Sequence, residues 1–149
     1  MNDSPNLRAN ATATATEDQS IFSLLHAAHA LEAKVEDALG RAELSGPKYS
    51  VLSELVAAGH PLSLSELAAK LSCVRSNMTQ LVDRLEGDGL VERVSCPNDR
   101  RAVKAQITEA GRDRQRAGAE EVAKLHREFS ARVKSDDRAA LERLLVALE

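Results

Sequence analysis

The chain has 149 residues, 43% hydrophobic and 29% charged, which is enough for one domain with a hydrophobic core. Its net charge of −3 argues against a uniformly basic nucleic-acid binder, and its 2% of aromatic residues argues against base stacking on aromatic rings. With no apolar run long enough for a membrane span, no secretory leader and two cysteines, we expect a cytoplasmic protein without a disulfide framework.

Residues 1–19 are predicted to form a disordered tail, because alternating alanine and threonine offer little apolar surface to bury. Helical periodicity then begins near Ser20 and continues to about Glu43. One face of this predicted helix carries an apolar stripe made of Ile21, Leu24, Leu25, Ala28, Leu31, Val35 and Leu39.

Three further helices are predicted between Pro47 and Gly87. Ser63 and Glu66 have the spacing of a capping box, in which a hydroxyl and a carboxylate each satisfy a backbone N–H at a helix start. The helix before this box is expected to bury Val51, Leu52, Leu55 and Val56. The helix after the turn at residues 72–74 is expected to bury Met78, Leu81, Val82 and Leu85.

Two strand-like segments, Leu90–Ser95 and Ala102–Ile107, are separated by a turn-rich loop. Thr108 is predicted to cap a long charged helix that runs to about Lys134. Ser135 is predicted to cap a last helix, whose apolar face carries Leu141, Leu144, Leu145 and Leu148. The sequence therefore predicts a mainly α fold with a small β-hairpin.

The order helix, turn, helix and hairpin between Pro61 and Gly111 is typical of a winged helix-turn-helix, whose second helix enters the major groove of DNA. Asn and Gln can bond adenine there, and arginines can contact flanking phosphates. Asp83 lies on the same face, and because DNA would repel it we expect it to orient a nearby arginine. The predicted reading residues are Arg75, Ser76, Asn77, Thr79, Gln80 and Arg84.

The loop between the two strands is the predicted wing. Its arginines are suited to a narrow minor groove, where they read groove width and negative potential. Residues 93–104 hold four cations and one anion, so this segment is locally +3 in an acidic chain. The predicted DNA-binding residues of the wing are Asn98, Asp99, Arg100 and Arg101.

Five segments, in this order and spacing, resemble the MarR (multiple antibiotic resistance regulator) family: Leu67–Leu71, Thr79–Glu86, Gly89–Arg93, Pro97–Arg101 and Thr108–Gly111. The resemblance implies a winged helix-turn-helix transcription regulator that binds a palindromic double-stranded DNA operator as a homodimer. Family members usually repress, and a small phenolic ligand or an oxidant releases them. The family's wing arginine corresponds to Arg101.

The resemblance also implies that different segments of the chain mediate dimerisation and DNA binding. The N- and C-terminal helices, at 20–45 and 109–149, would form the dimer interface, and the winged helix-turn-helix at 46–108 would bind DNA. The apolar stripes of the first and last helices agree with this, because a helix with an apolar face needs a partner.

The chain departs from the family pattern before the predicted reading helix. Many members have Gly-Val-Ser where this chain has Ser72-Cys73-Val74. A valine cannot cap a helix, so Ser72 or water serves the helix N-terminus, or the helix begins elsewhere.

Several alternatives remain open at this level. Cys96 or Cys73 would be the input of a thiol-based redox regulator, and a winged helix can also serve as a protein-interaction module that does not read DNA. Phe22, His26 and Tyr49 are candidate residues of an effector pocket. No catalytic constellation, cofactor or metal site is predicted, and we expect no enzymatic activity.

Overall fold

A computed structural model describes residues 8–96 and 99–147, with side chains at positions 21–95 and 103–147. The chain divides into two units, of which the first ends at Lys34 and the second begins at Val35. In chain order the described elements are α1 (Arg8–Gly40), α2 (Gly46–Ala58), β1 (Leu62–Ser63), α3 (Leu64–Lys70), α4 (Arg75–Gly87), β2 (Val91–Cys96), β3 (Asp99–Ile107), α5 (Glu109–Arg132) and α6 (Ser135–Val146).

The first unit is helical from Arg8 onward, although we predicted a disordered tail as far as residue 19. Alanine recurs through these positions and is the strongest helix former, which accounts for the earlier start. The apolar side chains that follow are exposed: Ile21, Phe22, Leu24, Leu25 and Leu31.

The boundary of α1 at its other end also differs from the prediction. The helix ends at Gly40 rather than near Glu43. Glu43 has a φ of 54°, in the left-handed region that interrupts a helix. Within the second unit, Leu39 joins the core and Val35 packs against it.

The core of the second unit confirms most of the predicted helical faces. Its largest fully buried side chains are Leu39, Leu52, Leu55, Leu67, Met78, Leu85, Val51, Val82 and Val91. Val56 was predicted to point inward but lies 37% exposed at the edge of the α2 stripe, and Leu81 is partly buried. These apolar stripes fix how each helix is rotated, and therefore which side chains face outward.

The sheet is antiparallel with strand order β1-β3-β2. Leu62 of β1 pairs with Ala105, and Val91 of β2 pairs with Ile107. The hairpin prediction is confirmed, but β1 was not foreseen because a strand of two residues carries no periodic signal. β3 begins at Asp99, three residues ahead of the predicted Ala102, so Asp99, Arg100 and Arg101 start the strand rather than belonging to a loop.

Thr108 caps α5 as predicted. Its hydroxyl accepts the N–H of Gly111 at 3.0 Å and donates to the carbonyl of Gly89 at 2.8 Å. Its own N–H donates to the carbonyl of Leu90 at 3.1 Å. The start of α5 is therefore attached to the turn that leads into β2.

The cap predicted for the last helix is wrong. α6 begins at Ser135 itself, and Lys134 occupies the cap position. Asp136 and Asp137 lie in the first turn, where carboxylates favour the positive end of the helix dipole.

The predicted capping box at α3 is present in full. Ser63 Oγ accepts the N–H of Glu66 at 3.2 Å, and a Glu66 carboxylate oxygen accepts the N–H of Ser63 at 2.7 Å. The hydrogen bonds from the Ser63 backbone and side chain hold the pKa of Glu66 below its usual value.

Ser63→Ala is expected to lower the free energy of unfolding by about 1 kcal/mol, as loss of a helix cap does. Urea denaturation at neutral pH measures it. Because the folded pKa of Glu66 is lowered, its contribution is complete above the unfolded pKa and declines as the pH falls through the folded pKa. The difference between wild type and variant should therefore shrink in acid. Ser65→Ala, at an exposed position of the same helix, is the control, and equal midpoints for all three proteins would contradict the cap.

Candidate nucleic-acid interface

The apolar stripe of α4 turns the predicted reading face outward. Met78, Val82 and Leu85 are fully buried, which fixes the rotation of the helix about its axis. On the other side five of the six predicted reading residues are exposed and Thr79 is half-buried; the exposed ones are Arg75, Ser76, Asn77, Gln80 and Arg84. The hydroxyl of Thr79 donates to the carbonyl of Arg75 at 3.1 Å.

The turn before α4 places the start of this face. Ser72 has a φ of 50°, and the N–H of Cys73 donates to the carbonyl of Ala68 at 3.0 Å. Val74 is the N-cap residue with an extended backbone, and α4 begins at Arg75. The alternative that the helix begins elsewhere is thereby excluded.

Arg75 and Arg84 provide charge at the two ends of this face. Among the described side chains, neither arginine forms an ion pair. Nine helical steps place their Cα atoms about 13.5 Å apart along the helix axis and their side chains about 180° apart around it, so the two arginines flank this face on opposite sides. Both charges are thus available to phosphates on either side of a groove.

Arg93 on β2 holds both carboxylates of α4. Its guanidinium forms ion pairs with Asp83 and Glu86, and its backbone N–H donates to Glu86 at 3.2 Å. The hydrogen bond to Asp83 and, to a smaller extent, the hydrogen bond to Glu86 raise the pKa of Arg93 above its usual value. The expectation that Asp83 orients an arginine is confirmed. The Arg93 bridge, as we call these three residues, compensates acidic charge on the reading face and attaches α4 to the hairpin.

A cleft of about 460 Å³ opens between the start of α3, the start of α4 and the sheet. Two guanidinium groups and three hydroxyl groups contribute to its walls. The lining residues are Ser63, Leu64, Ser65, Arg75, Thr79, Arg93 and Val103. Because Arg93 is paired with Asp83 and Glu86, Arg75 is the arginine of this cleft that forms no ion pair among the described side chains.

The predicted wing residues lie partly outside the described residues. Asn98 lies outside altogether, as do the side chains of Asp99, Arg100 and Arg101, whose backbone begins β3. Asp99 pairs with Cys96 across the hairpin, where the strand register shifts after Ser95. The wing contacts with DNA remain a prediction from the sequence.

The side chain of only one of the two cysteines lies among the described residues. Cys73 is a free, half-buried thiol that packs against the core, as a small apolar residue would. The side chain of Cys96 lies outside the described residues. The redox hypothesis therefore stays a prediction.

Of the three candidate effector residues, Phe22 and His26 belong to the first unit and Tyr49 belongs to the second. Phe22 is 71% exposed and His26 is also exposed on α1. In the second unit the Tyr49 ring is half-buried and packs against Gly118 of α5. The effector pocket stays a prediction.

The described part of the chain holds neither a cluster of metal ligands nor a membrane-spanning helix. Within residues 8–96 and 99–147, no group of three or more His, Cys, Asp or Glu side chains could hold a metal ion. None of the helices described there combines the length and apolar character needed to cross a bilayer.

These elements define a winged helix-turn-helix, in which α3 and α4 are joined by a tight turn and followed by the β2–β3 hairpin. Residues 44–103 match the model of the MarR family. This match confirms the resemblance inferred from the sequence motifs.

Curated relatives match part of the chain. The chain is 37% identical over 82 residues to the HTH-type transcriptional regulator PrsX of Escherichia coli, which covers 54% of this chain and 49% of that protein. It is 41% identical over 54 residues to the transcriptional repressor MprA of Escherichia coli strain K12, covering 36% of this chain and 31% of that protein. The matched region thus spans half or less of these relatives.

Solved structures are similar over most of the chain. A cysteine-to-serine variant of MarR from Escherichia coli, in complex with operator DNA, has a TM-score of 0.76 at 27% identity and covers 89% of this chain and 95% of that one. AbsC, a MarR family transcriptional regulator from Streptomyces coelicolor, has a TM-score of 0.78 at 27% identity, covering 89% and 91% of the two chains.

Proposed function

We propose that this protein is a sequence-specific double-stranded DNA-binding transcription regulator that acts as a dimeric repressor in the cytoplasm. The observation that carries the proposal is the exposed face of α4. Its hydrogen-bonding side chains stand opposite a buried apolar stripe, and an arginine lies at each end. The operator DNA in the MarR structure and the repressor function in the name MprA support it.

In this proposal α4 enters the major groove. Asn77 and Gln80 hydrogen-bond base edges, and Arg75 and Arg84 neutralise phosphates on the two sides. The wing arginine Arg101 reaches the minor groove beside it. Basic charge concentrated in residues 93–104 favours this placement although the whole chain carries a net charge of −3.

We further propose that two copies pair through the terminal helices. The exposed apolar side chains of α1 and α6 support this pairing, because such faces are buried in a stable assembly. A two-fold dimer presents two reading helices to half-sites one turn of DNA apart, which predicts an inverted-repeat operator. The exposed apolar residues of α6 are Leu144, Leu145 and Val146.

Release of DNA by a small organic effector, such as a phenol, completes the proposal. An effector that binds better to a dimer whose reading helices do not fit DNA would shift the population toward that form. Phe22, His26 and Tyr49 are the candidate contacts. Their variants should change effector response and leave operator affinity without effector unchanged.

Selection from a random pool of DNA duplexes tests the proposed function. The full-length protein should enrich an inverted repeat, and that repeat should bind more tightly than a shuffled duplex at the same salt concentration. If the protein is instead a protein-interaction module, the folded protein should enrich no DNA duplex from the pool.

Arg101→Ala should weaken binding to all duplexes, because it removes a cation that interacts with the negative potential of the minor groove and its flanking phosphates rather than with the edge of one base pair. The slope of log affinity against log salt should flatten by about one for each phosphate that the variant no longer neutralises. Gln80→Ala is the matched contrast, since it should relax base preference at one position and leave the salt slope unchanged. An Arg101→Ala protein with the affinity and slope of wild type would refute the wing assignment.

A further inference from the structure

Val74 is an apolar side chain exposed at the start of the reading helix. It is 62% exposed and occupies the N-cap position of α4. Helix caps are usually Ser, Thr, Asn or Asp, whose side chains accept a backbone N–H. Valine offers no such acceptor, so this residue leaves α4 less stable than a serine would.

Val74 is not among the partly buried apolar side chains that pack against the hydrophobic core. Its neighbour Cys73 does pack against the core. Ser76 and Asn77 immediately after it are exposed as well. In helix-turn-helix proteins these first residues of the reading helix contact base edges.

We propose that Val74 contacts the C5-methyl group of a thymine and thereby specifies a T·A base pair in each half-site. This inference rests on the proposed function. Thymine is the base that presents a methyl group in the major groove, and apolar side chains are its usual partners. Removing both apolar groups from water favours the contact. Asn77, which can bond adenine, lies one turn further along, so the two readings suit neighbouring A·T pairs.

A thymine-to-uracil scan of the selected duplex measures this contact directly. Uracil lacks the C5-methyl group but pairs in the same way. At one thymine of each half-site, the change to uracil should weaken wild-type binding about fourfold per half-site, as expected for one buried methyl group. For Val74→Ala the same change should have no effect at that position. Val56→Ala, an equally truncated exposed valine on α2, should retain the wild-type response.

Val74→Ser separates recognition from a structural role. A serine cap should raise Tm by about 3 °C, while discrimination between thymine and uracil is lost. A structural role alone would raise or lower stability without changing the uracil response.

The outcomes distinguish the two levels of the proposal. Failure of the folded protein to enrich any duplex would refute the proposed function. A selected duplex in which no uracil change weakens wild-type binding would refute the thymine contact alone. The thymine contact would also be refuted by a Val74→Ala protein that discriminates thymine from uracil as wild type does.

Discussion

Gly111→Ala is expected to lower the free energy of unfolding by about 3 kcal/mol. A Cβ atom at Gly111 would lie 2.0 Å from the carbonyl oxygen of Leu90 and 2.8 Å from Cγ1 of Ile107. The Leu90 carbonyl also accepts the N–H of Thr108, so it cannot withdraw without loss of that hydrogen bond. Accommodating the methyl group would separate the start of α5 from the turn that enters β2.

Gly87→Ala is the control for this prediction. Nothing lies within 4 Å of the Cβ position at Gly87, the last residue of α4. Alanine is also the better helix former, so this variant should be as stable as wild type or slightly more stable. Urea denaturation compares the three proteins. Equal midpoints for Gly111→Ala and Gly87→Ala would show that the close approach to Leu90 is not real.

Arg93→Gln is expected to weaken operator binding by a dimer about 100-fold, from about 1.4 kcal/mol of repulsion between phosphates and uncompensated carboxylates in each of the two subunits. The substitution leaves Asp83 and Glu86 without their cation, and the Asp83 side chain is 55% exposed on the face that we propose binds DNA. It also removes the side-chain ion pairs between α4 and β2, and leaves the hydrogen bond from the backbone N–H of residue 93 to Glu86. Both changes oppose binding, because phosphates repel the carboxylates and the reading helix loses part of its support.

Removal of the offending carboxylate tests that explanation. Asp83→Asn combined with Arg93→Gln should recover part of the affinity lost in Arg93→Gln alone, because one repelled charge has gone. Arg116→Gln breaks an exposed ion pair with Asp113 on α5 and should bind DNA as wild type does. Fluorescence anisotropy with the selected duplex measures all four proteins. No recovery in the double variant would show that Arg93 acts by some other route.

The parts of the fold that could be predicted depend on local patterns. The stripe of Met78, Val82 and Leu85 repeats at helical spacing, and hydrophobic burial then sets the rotation of α4. Ser63 and Thr108 cap helices through atoms three residues away, so their roles can also be inferred from spacing.

The parts that could not be predicted depend on distant partners or on weak local preferences. β1 exists because Leu62 meets Ala105 of β3. Serine is a common N-cap residue, but α6 begins at Ser135 itself, whereas a Ser135 cap would require the helix to begin at Asp136. In the early part of α1, alanine propensity opposes the lack of burial, and the sequence alone does not decide between them.

The candidate site divides in the same way. The outward face of α4 follows once its buried stripe is known, and Asp83 could be expected to need a cation. The identity of that cation could not be read from spacing, because Arg93 lies on another element and pairs with two carboxylates of α4. What indicated a cation was the presence of an acidic residue, Asp83, on the face predicted to bind DNA.

The claim that α4 and the wing form the DNA-binding surface is tested most directly by NMR. Amide chemical shifts of the full-length labelled protein would be compared with and without the selected duplex. We expect the largest shift changes in residues 72–84 and 93–104. Changes confined to α1 and α6, with residues 72–84 unaffected at saturating duplex, would contradict the account.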